Sequence, residues 1–114
     1  MKNPEFDWGD KFDSFLDGLP DDDEVKLLKI IENIEDKGLK VAQRLEWIKK
    51  LDTNLYEIRS KFGSNIQRGI YFQLQDNHYW ITHGFTKKTQ RTPKNEIAKG
   101  KKLREEKLKE DENE

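Results

Sequence analysis

Arg59 and Lys61 stand two residues apart in Leu55-Tyr56-Glu57-Ile58-Arg59-Ser60-Lys61-Phe62. That stretch is a strand candidate, and a spacing of two puts both side chains on one face of a sheet. Arg68 follows on the next strand candidate, and Lys87 and Lys88 come at the end of a third. Gathered on a sheet surface, such cations can bind an RNA phosphate and stabilise the added negative charge of a pentavalent transition state. Tyr71, Tyr79, Trp80 and Phe85 lie among them, and rings of this kind stack on unpaired bases. The same pattern also suits a solvated sheet face whose lysines serve solubility.

The two histidines differ in setting. His78 adjoins the turn at Asp76-Asn77, where a polar residue needs no special explanation. His83 lies near a strand end, before Gly84-Phe85 and a basic segment. There it could transfer protons near neutral pH, or be an ordinary hydrogen-bonded strand residue. Two histidines without an acidic motif nearby, and no cysteine at all, give no expected metal site and no disulfide. Neither a glycine-rich phosphate loop nor a nucleophile elbow is present.

The 114 residues suit one domain, with 32% hydrophobic and 39% charged side chains. The net charge of −1 conceals strong segregation. Residues 1–37 carry 12 acidic and 5 basic side chains, residues 38–104 carry 15 basic and 5 acidic, and residues 105–114 carry 6 acidic and 2 basic. A basic middle between acidic ends points to a phosphate-rich partner, or to ends that fold back and neutralise the middle. No apolar run approaches the roughly 20 residues of a membrane span. The opening Met1-Lys2-Asn3-Pro4-Glu5 lacks an apolar signal region. A soluble cytoplasmic protein with no membrane partner is expected.

The elements that must position these residues follow from periodicity. Residues 1–11 read as irregular or as a shortened first strand. Phe12, Phe15, Leu16 and Leu19 predict a helix ending at Gly18-Leu19-Pro20. A second helix runs from Asp21-Asp22-Asp23 to about Lys37, with Val25, Leu28, Ile31 and Ile34 as its stripe, widened by Leu27 and Ile30. Residues 39–51 are ambiguous, with Val41, Leu45, Ile48 and Leu51 fitting a short helix. Turns at Asp52-Thr53-Asn54, Gly63-Ser64-Asn65 and Asp76-Asn77 separate three strands, Leu55–Phe62, Gln67–Gln75 and His78–Phe85. Thr92 and Pro93 open a last helix carrying Ile97, Leu103 and Leu108. Residues 107–114 form a charged tail, expected to be frayed or disordered.

Leu55-Tyr56-Glu57-Ile58-Arg59, and above all His83-Gly84-Phe85-Thr86-Lys87-Lys88-Thr89-Gln90-Arg91-Thr92-Pro93 followed by Lys94-Asn95-Glu96-Ile97, carry a family resemblance. The chain resembles the HigB-like, phage-derived branch of the RelE/ParE toxin superfamily over about residues 12–106. That resemblance implies an α+β fold, a helical hairpin packed on a small curved antiparallel sheet of three to four strands with a C-terminal helix. It also implies the toxin of a type II toxin–antitoxin system. Such a toxin cuts mRNA without metal or cofactor, often on the ribosome, and is held by a helix-turn-helix antitoxin of the HigA-like kind.

In the implied reaction a ribose 2′-OH attacks the adjacent phosphate, leaving a 2′,3′-cyclic phosphate and a 5′-OH. Arg59 and Lys61 match the pair of basic residues that RelE-type enzymes carry on this strand, Arg68 the arginine on the next, and Lys88 a basic position beyond the last. On that basis Lys61 is the candidate base, provided neighbouring cations depress its pKa, with His83 as rival. Arg59, Arg68 and Lys88 are candidate phosphate clamps, and Lys87, Arg91 and Tyr71 candidate RNA contacts. Replacing Arg68 by alanine is expected to leave the fold intact. The sparse apolar content of residues 1–11, and Gly69 where relatives carry a larger strand residue, fit an alternative. In it the chain is an inactive remnant that only binds its antitoxin. A further alternative is a ParE-like gyrase inhibitor.

Overall fold

The computed structural model describes residues 3–112 as an α+β fold. Its five-stranded sheet has the order β1-β5-β4-β3-β2, with helices on both faces. Strand β1, Glu5–Trp8, lies parallel to β5, His78–Lys87, with Glu5 opposite His78 and Trp8 opposite Ile81. The other neighbours are antiparallel, so the sheet is mixed and has more strands than the three or four expected. The sparse apolar content of residues 1–11 therefore conceals a short strand, which needs only one inward side chain. Phe6 is buried and meets the Tyr71 ring edge-on, with centroids 5.0 Å apart. The outer edge of β1 is partly closed, because the Phe6 backbone N–H donates to Glu35 Oε2 at 2.9 Å. Such closure limits pairing with a foreign strand.

Helix α1, Asp10–Asp17, places acidic residues in its first turn and buries Phe12 and Leu16. Helix α2, Asp21–Lys37, follows Pro20 and turns Leu27, Ile31 and Ile34 inward. Its stripe is rotated from the expected one, for Val25 is 64% exposed. The cause is Asp23, whose buried carboxylate accepts from Gln67 Nε2 at 2.6 Å and sets the face that α2 presents. At Gly38 the backbone adopts φ +92°, and α3, Leu39–Arg44, begins.

The helix stops at Arg44, and Ile48–Asp52 forms strand β2 instead of continuing the expected helix. The turn at Thr53-Asn54 brings β2 against β3, Leu55–Phe62, so that Ile48 pairs with Ile58. Long-range pairing overrides a weak helical period there. Strand β4, Asn65–Gln75, lies between β3 and β5. Helix α4, Lys94–Glu112, covers the other face over Leu55, Ile70 and Phe85. It stays helical to Glu112, where a frayed tail is expected from residue 107. Residues 113 and 114 of that expected tail lie outside the described residues. Lys107 supports the added turns, reaching Asp111 at 3.4 Å and lying over the Trp80 ring at 4.0 Å.

Gly69 and Gly84 are opposite each other on β4 and β5 and leave a flat floor for α1. A methyl group at Gly84 would collide with the Phe15 ring, and one at Gly69 would stand 3.2 Å from Phe12. The glycine at position 69 thus has a packing reason. Gly84→Ala should lift Phe15 from the sheet and destabilise the protein by about 1–3 kcal/mol, read from the urea midpoint. An unchanged midpoint would show that α1 is not seated by this contact.

Candidate functional site

Pairing across β3, β4 and β5 lines up three rows on the face that α4 partly covers. They are Glu57-Ile70-His83, Arg59-Arg68-Phe85 and Lys61-Ile66-Lys87. Residues paired directly across strands share a face, so Arg59, Lys61, Arg68, His83 and Lys87 do converge. They differ sharply in accessibility. The first row is sealed under α4, the second is mostly occupied within the protein, and in the third Lys61 and Lys87 are exposed on either side of a buried Ile66.

Glu57 is the centre of the sealed part. Its fully buried carboxylate accepts from Arg59 Nε at 2.6 Å and from the Thr92 hydroxyl, and lies 3.8 Å from an Arg68 guanidinium nitrogen. Thr92 therefore serves this carboxylate rather than capping the last helix. Arg68 is itself fully buried, donates to the Thr89 carbonyl and lies over Phe85 at 5.8 Å. Burial pushes its guanidinium pKa down, the charge of Glu57 pulls it back up, and that of Arg59 lowers it again. Two of its nitrogens find no hydrogen-bond acceptor among the described residues.

Arg59 keeps 18% of its side chain exposed and donates to the backbone carbonyl and the side-chain oxygen of Gln90. Both arginines thus hold carbonyls of the segment 88–92. Lys88 and Arg91 project from that segment into solvent, as do Lys61 and Lys87 from the strands. Among the described residues, none of these four makes an ion pair.

His83 is 2% exposed. Its Nδ1 lies 2.8 Å from the Thr82 hydroxyl and its Nε2 3.3 Å from Glu96 Oε1, so it ties β5 to α4. Burial lowers its pKa to about 4, with Lys99 also lowering it, the charge and hydrogen bond of Glu96 opposing, and Lys11 adding slightly to the fall. The imidazole is neutral at pH 7 and is not presented to a substrate. Tyr71 lies on the opposite face, in the core with Phe6 and Ile58, and has no ring surface to offer beside the cations.

Glu57, Gln90, Thr92 and Glu96 are absent from the candidates that the sequence suggests, although they organise the site. Glu57 had a signal, being a lone acid two residues before Arg59 on the same strand face. Glu96 and Gln90 had none, since their contacts depend on how the last helix and its leading segment dock. Among the described residues no three His, Cys, Asp or Glu side chains gather to hold a metal ion. No helix there is long and apolar enough to cross a membrane.

Two outcomes follow from the burial. Arg68→Ala would strand the Glu57 carboxylate with only Arg59 and Thr92, and should cost about 3–5 kcal/mol of stability in a denaturant titration. The expectation of an intact fold is thereby revised, and a loss below 1 kcal/mol would mean that Glu57 does not need Arg68. His83 protonates at about pH 4 in the folded chain, against 6.5 for a free side chain. Between those values the unfolded chain holds the extra proton. The contribution is therefore complete above about pH 6.5 and is lost as pH falls towards 4, by on the order of 3 kcal/mol. His83→Gln should flatten that slope, and an unaltered slope would show that His83 titrates alike in both states.

A search of curated proteins finds no match. A family model described as "Phage derived protein Gp49-like (DUF891)" matches residues 14–105, from within α1 to within α4. The matched span contains all the strands except β1, and every residue of the Glu57 network. This family is linked to RelE-like toxins of toxin–antitoxin systems. The chain belongs to the Gp49-like phage-derived family.

Proposed function

We propose that the protein is the toxin of a toxin–antitoxin pair and a metal-independent mRNA endonuclease that acts on the ribosome. The observation that carries this reading is the open end of the sheet. There Lys61, Lys87, Lys88 and Arg91 face solvent without a carboxylate partner among the described residues. A phosphodiester laid across them meets only positive charge, which grows in value as the phosphorane gathers negative charge. The ribose 2′-oxygen forms a bond to phosphorus and gives up its proton, and the bond to the 5′-oxygen breaks. That oxygen takes a proton, leaving a cyclic phosphate and a 5′-OH.

Lys61 is the side chain we assign to the 2′-OH, with Lys88 on the phosphate and Lys87 and Arg91 along the strand. Arg59 contributes its exposed part. Arg68 is a positioning residue, because it acts through Thr89 on the segment that carries Lys88. The partner that restrains the toxin is a helix-turn-helix antitoxin of the HigA-like kind, acting in the cytoplasm.

The sealing of Arg68 and His83 favours a second reading, a toxin that arrests growth by binding alone, as a ParE-like gyrase inhibitor does. Mapping of 5′-OH ends in cells expressing the chain separates the two. The nuclease reading expects discrete new ends in mRNA. It expects Lys61→Ala or Lys88→Ala to reduce them by about 10²–10³-fold with the fold unchanged by circular dichroism. Cutting of free RNA, where it occurs, should persist in EDTA. Growth arrest without new ends, or cutting that EDTA abolishes and a divalent ion restores, would overturn it.

A further inference from the structure

On the other face of the sheet, and towards the opposite end of β3, lies a cavity of about 250 Å³. Tyr56 and Lys61 are five residues apart along β3, roughly 16 Å, so this cavity is remote from the exposed cations. Leu39 and Ile48 form apolar walls, and Tyr56, Tyr71 and Tyr79 bring their rings together there. Tyr71 stacks on Tyr56 with centroids 5.2 Å apart and meets Tyr79 edge-on at 5.9 Å. None of the three phenol hydroxyls has a hydrogen-bond partner among the described residues. Burial raises the pKa of Tyr71 and of Tyr79, and the neighbouring phenols raise both further, so these hydroxyls remain protonated donors.

Lysines rim the cavity. Lys40, Lys49 and Lys50 line it, and Lys37 lines an adjoining hollow that shares Leu39, Lys40 and Tyr79. No acidic residue lines either space, and among the described residues none of the four lysines is ion-paired. An apolar recess with convergent unpartnered polar groups is the usual form of a small-ligand site. At 250 Å³ it admits one ring system rather than a whole extended ligand.

We propose that this tyrosine-floored, lysine-rimmed cavity binds a nucleoside phosphate, with the base in the recess and the phosphate at the lysines. A base edge offers several donors and acceptors in one plane, which the half-buried Tyr56 and Tyr79 hydroxyls can meet while the buried Tyr71 ring forms the floor. An acidic peptide would satisfy the lysines and could accept from the phenols, but it brings no flat ring to fill the recess against the stacked Tyr56 and Tyr71 rings. The nucleoside phosphate could be a free mononucleotide or one unit of a single-stranded RNA. The site would then be a second nucleotide contact, distinct from the open end of the sheet and independent of whether that end cuts RNA.

The test is NMR titration of the full chain with uridine and adenosine monophosphates, with inorganic phosphate, and with a short non-cleavable oligonucleotide bearing 2′-deoxyribose. Signals of Tyr56, Tyr79, Lys40 and Lys50 should shift with the nucleotides. Tyr79→Phe keeps the ring and should weaken binding about 2–10-fold, and the Lys40→Ala/Lys50→Ala pair by at least as much. Tighter binding of the oligonucleotide than of the monophosphates identifies a strand as the source, and equal or weaker binding identifies the free nucleotide. Unmoved tyrosine signals with every probe would overturn the proposal. So would equal shifts from inorganic phosphate alone, or stronger binding of a glutamate-rich peptide than of any nucleotide.

Discussion

The carboxylate of Glu57 is out of water, on a strand facing a helix, and the rest of the functional face is arranged around it. A buried charge is tolerated only when other groups replace the water it has lost. Here Arg59, Arg68 and Thr92 do so, and each then draws further chain into place. Arg68 and Arg59 have donors left over, and these hold the carbonyls of Thr89 and Gln90. Thr92 fixes the approach to α4, and α4 in turn brings Glu96 to His83. One negative charge thereby sets the path of a polar segment that has no regular structure of its own.

This arrangement changes how the basic residues of the sheet divide their work. In sequence they form one class, cations at intervals on neighbouring strands. In the fold they separate into an inner pair that builds the surface and an outer four that constitute it. The inner pair is poorly placed to meet a substrate, because Arg68 is fully buried and the donors of Arg59 already serve Glu57 and Gln90. Long-range electrostatic attraction of a polyanion is therefore left to Lys61, Lys87, Lys88 and Arg91, and such attraction weakens with added salt.

Much of this was legible in the sequence. The period-two stretches and their turns located β3, β4 and β5, and the alternation placed Arg59, Lys61 and Arg68 on one face. Family resemblance pointed to the α+β class that the structure has. What was not legible depends on contacts distant in the chain. Strand β1 has one inward side chain and gains its place only by pairing with β5. Strand β2 carries a helical spacing that pairing with β3 overrules. The face of α2 is turned by Asp23 meeting Gln67, a pair 44 residues apart. The burial of His83 and Arg68 could not be foreseen, since it depends on how α4 and the residues before it come to rest.

The parallel pairing of β1 with β5 also governs the timing of folding during synthesis. Residues 5–8 have no strand to join until residues 78–81 have been made. In that interval Phe6 lacks the Tyr71 and Tyr79 rings that enclose it, and α1 lacks the glycine floor of β4 and β5. Contacts between such distant parts of a chain are slow to form, and the apolar surfaces that await them stay open to other partners meanwhile. Helix α4, made after the strands, then closes over Glu57 and His83. The cationic surface is thus assembled only once α4 has been made, so a chain that stops before α4 would carry the charges without the geometry.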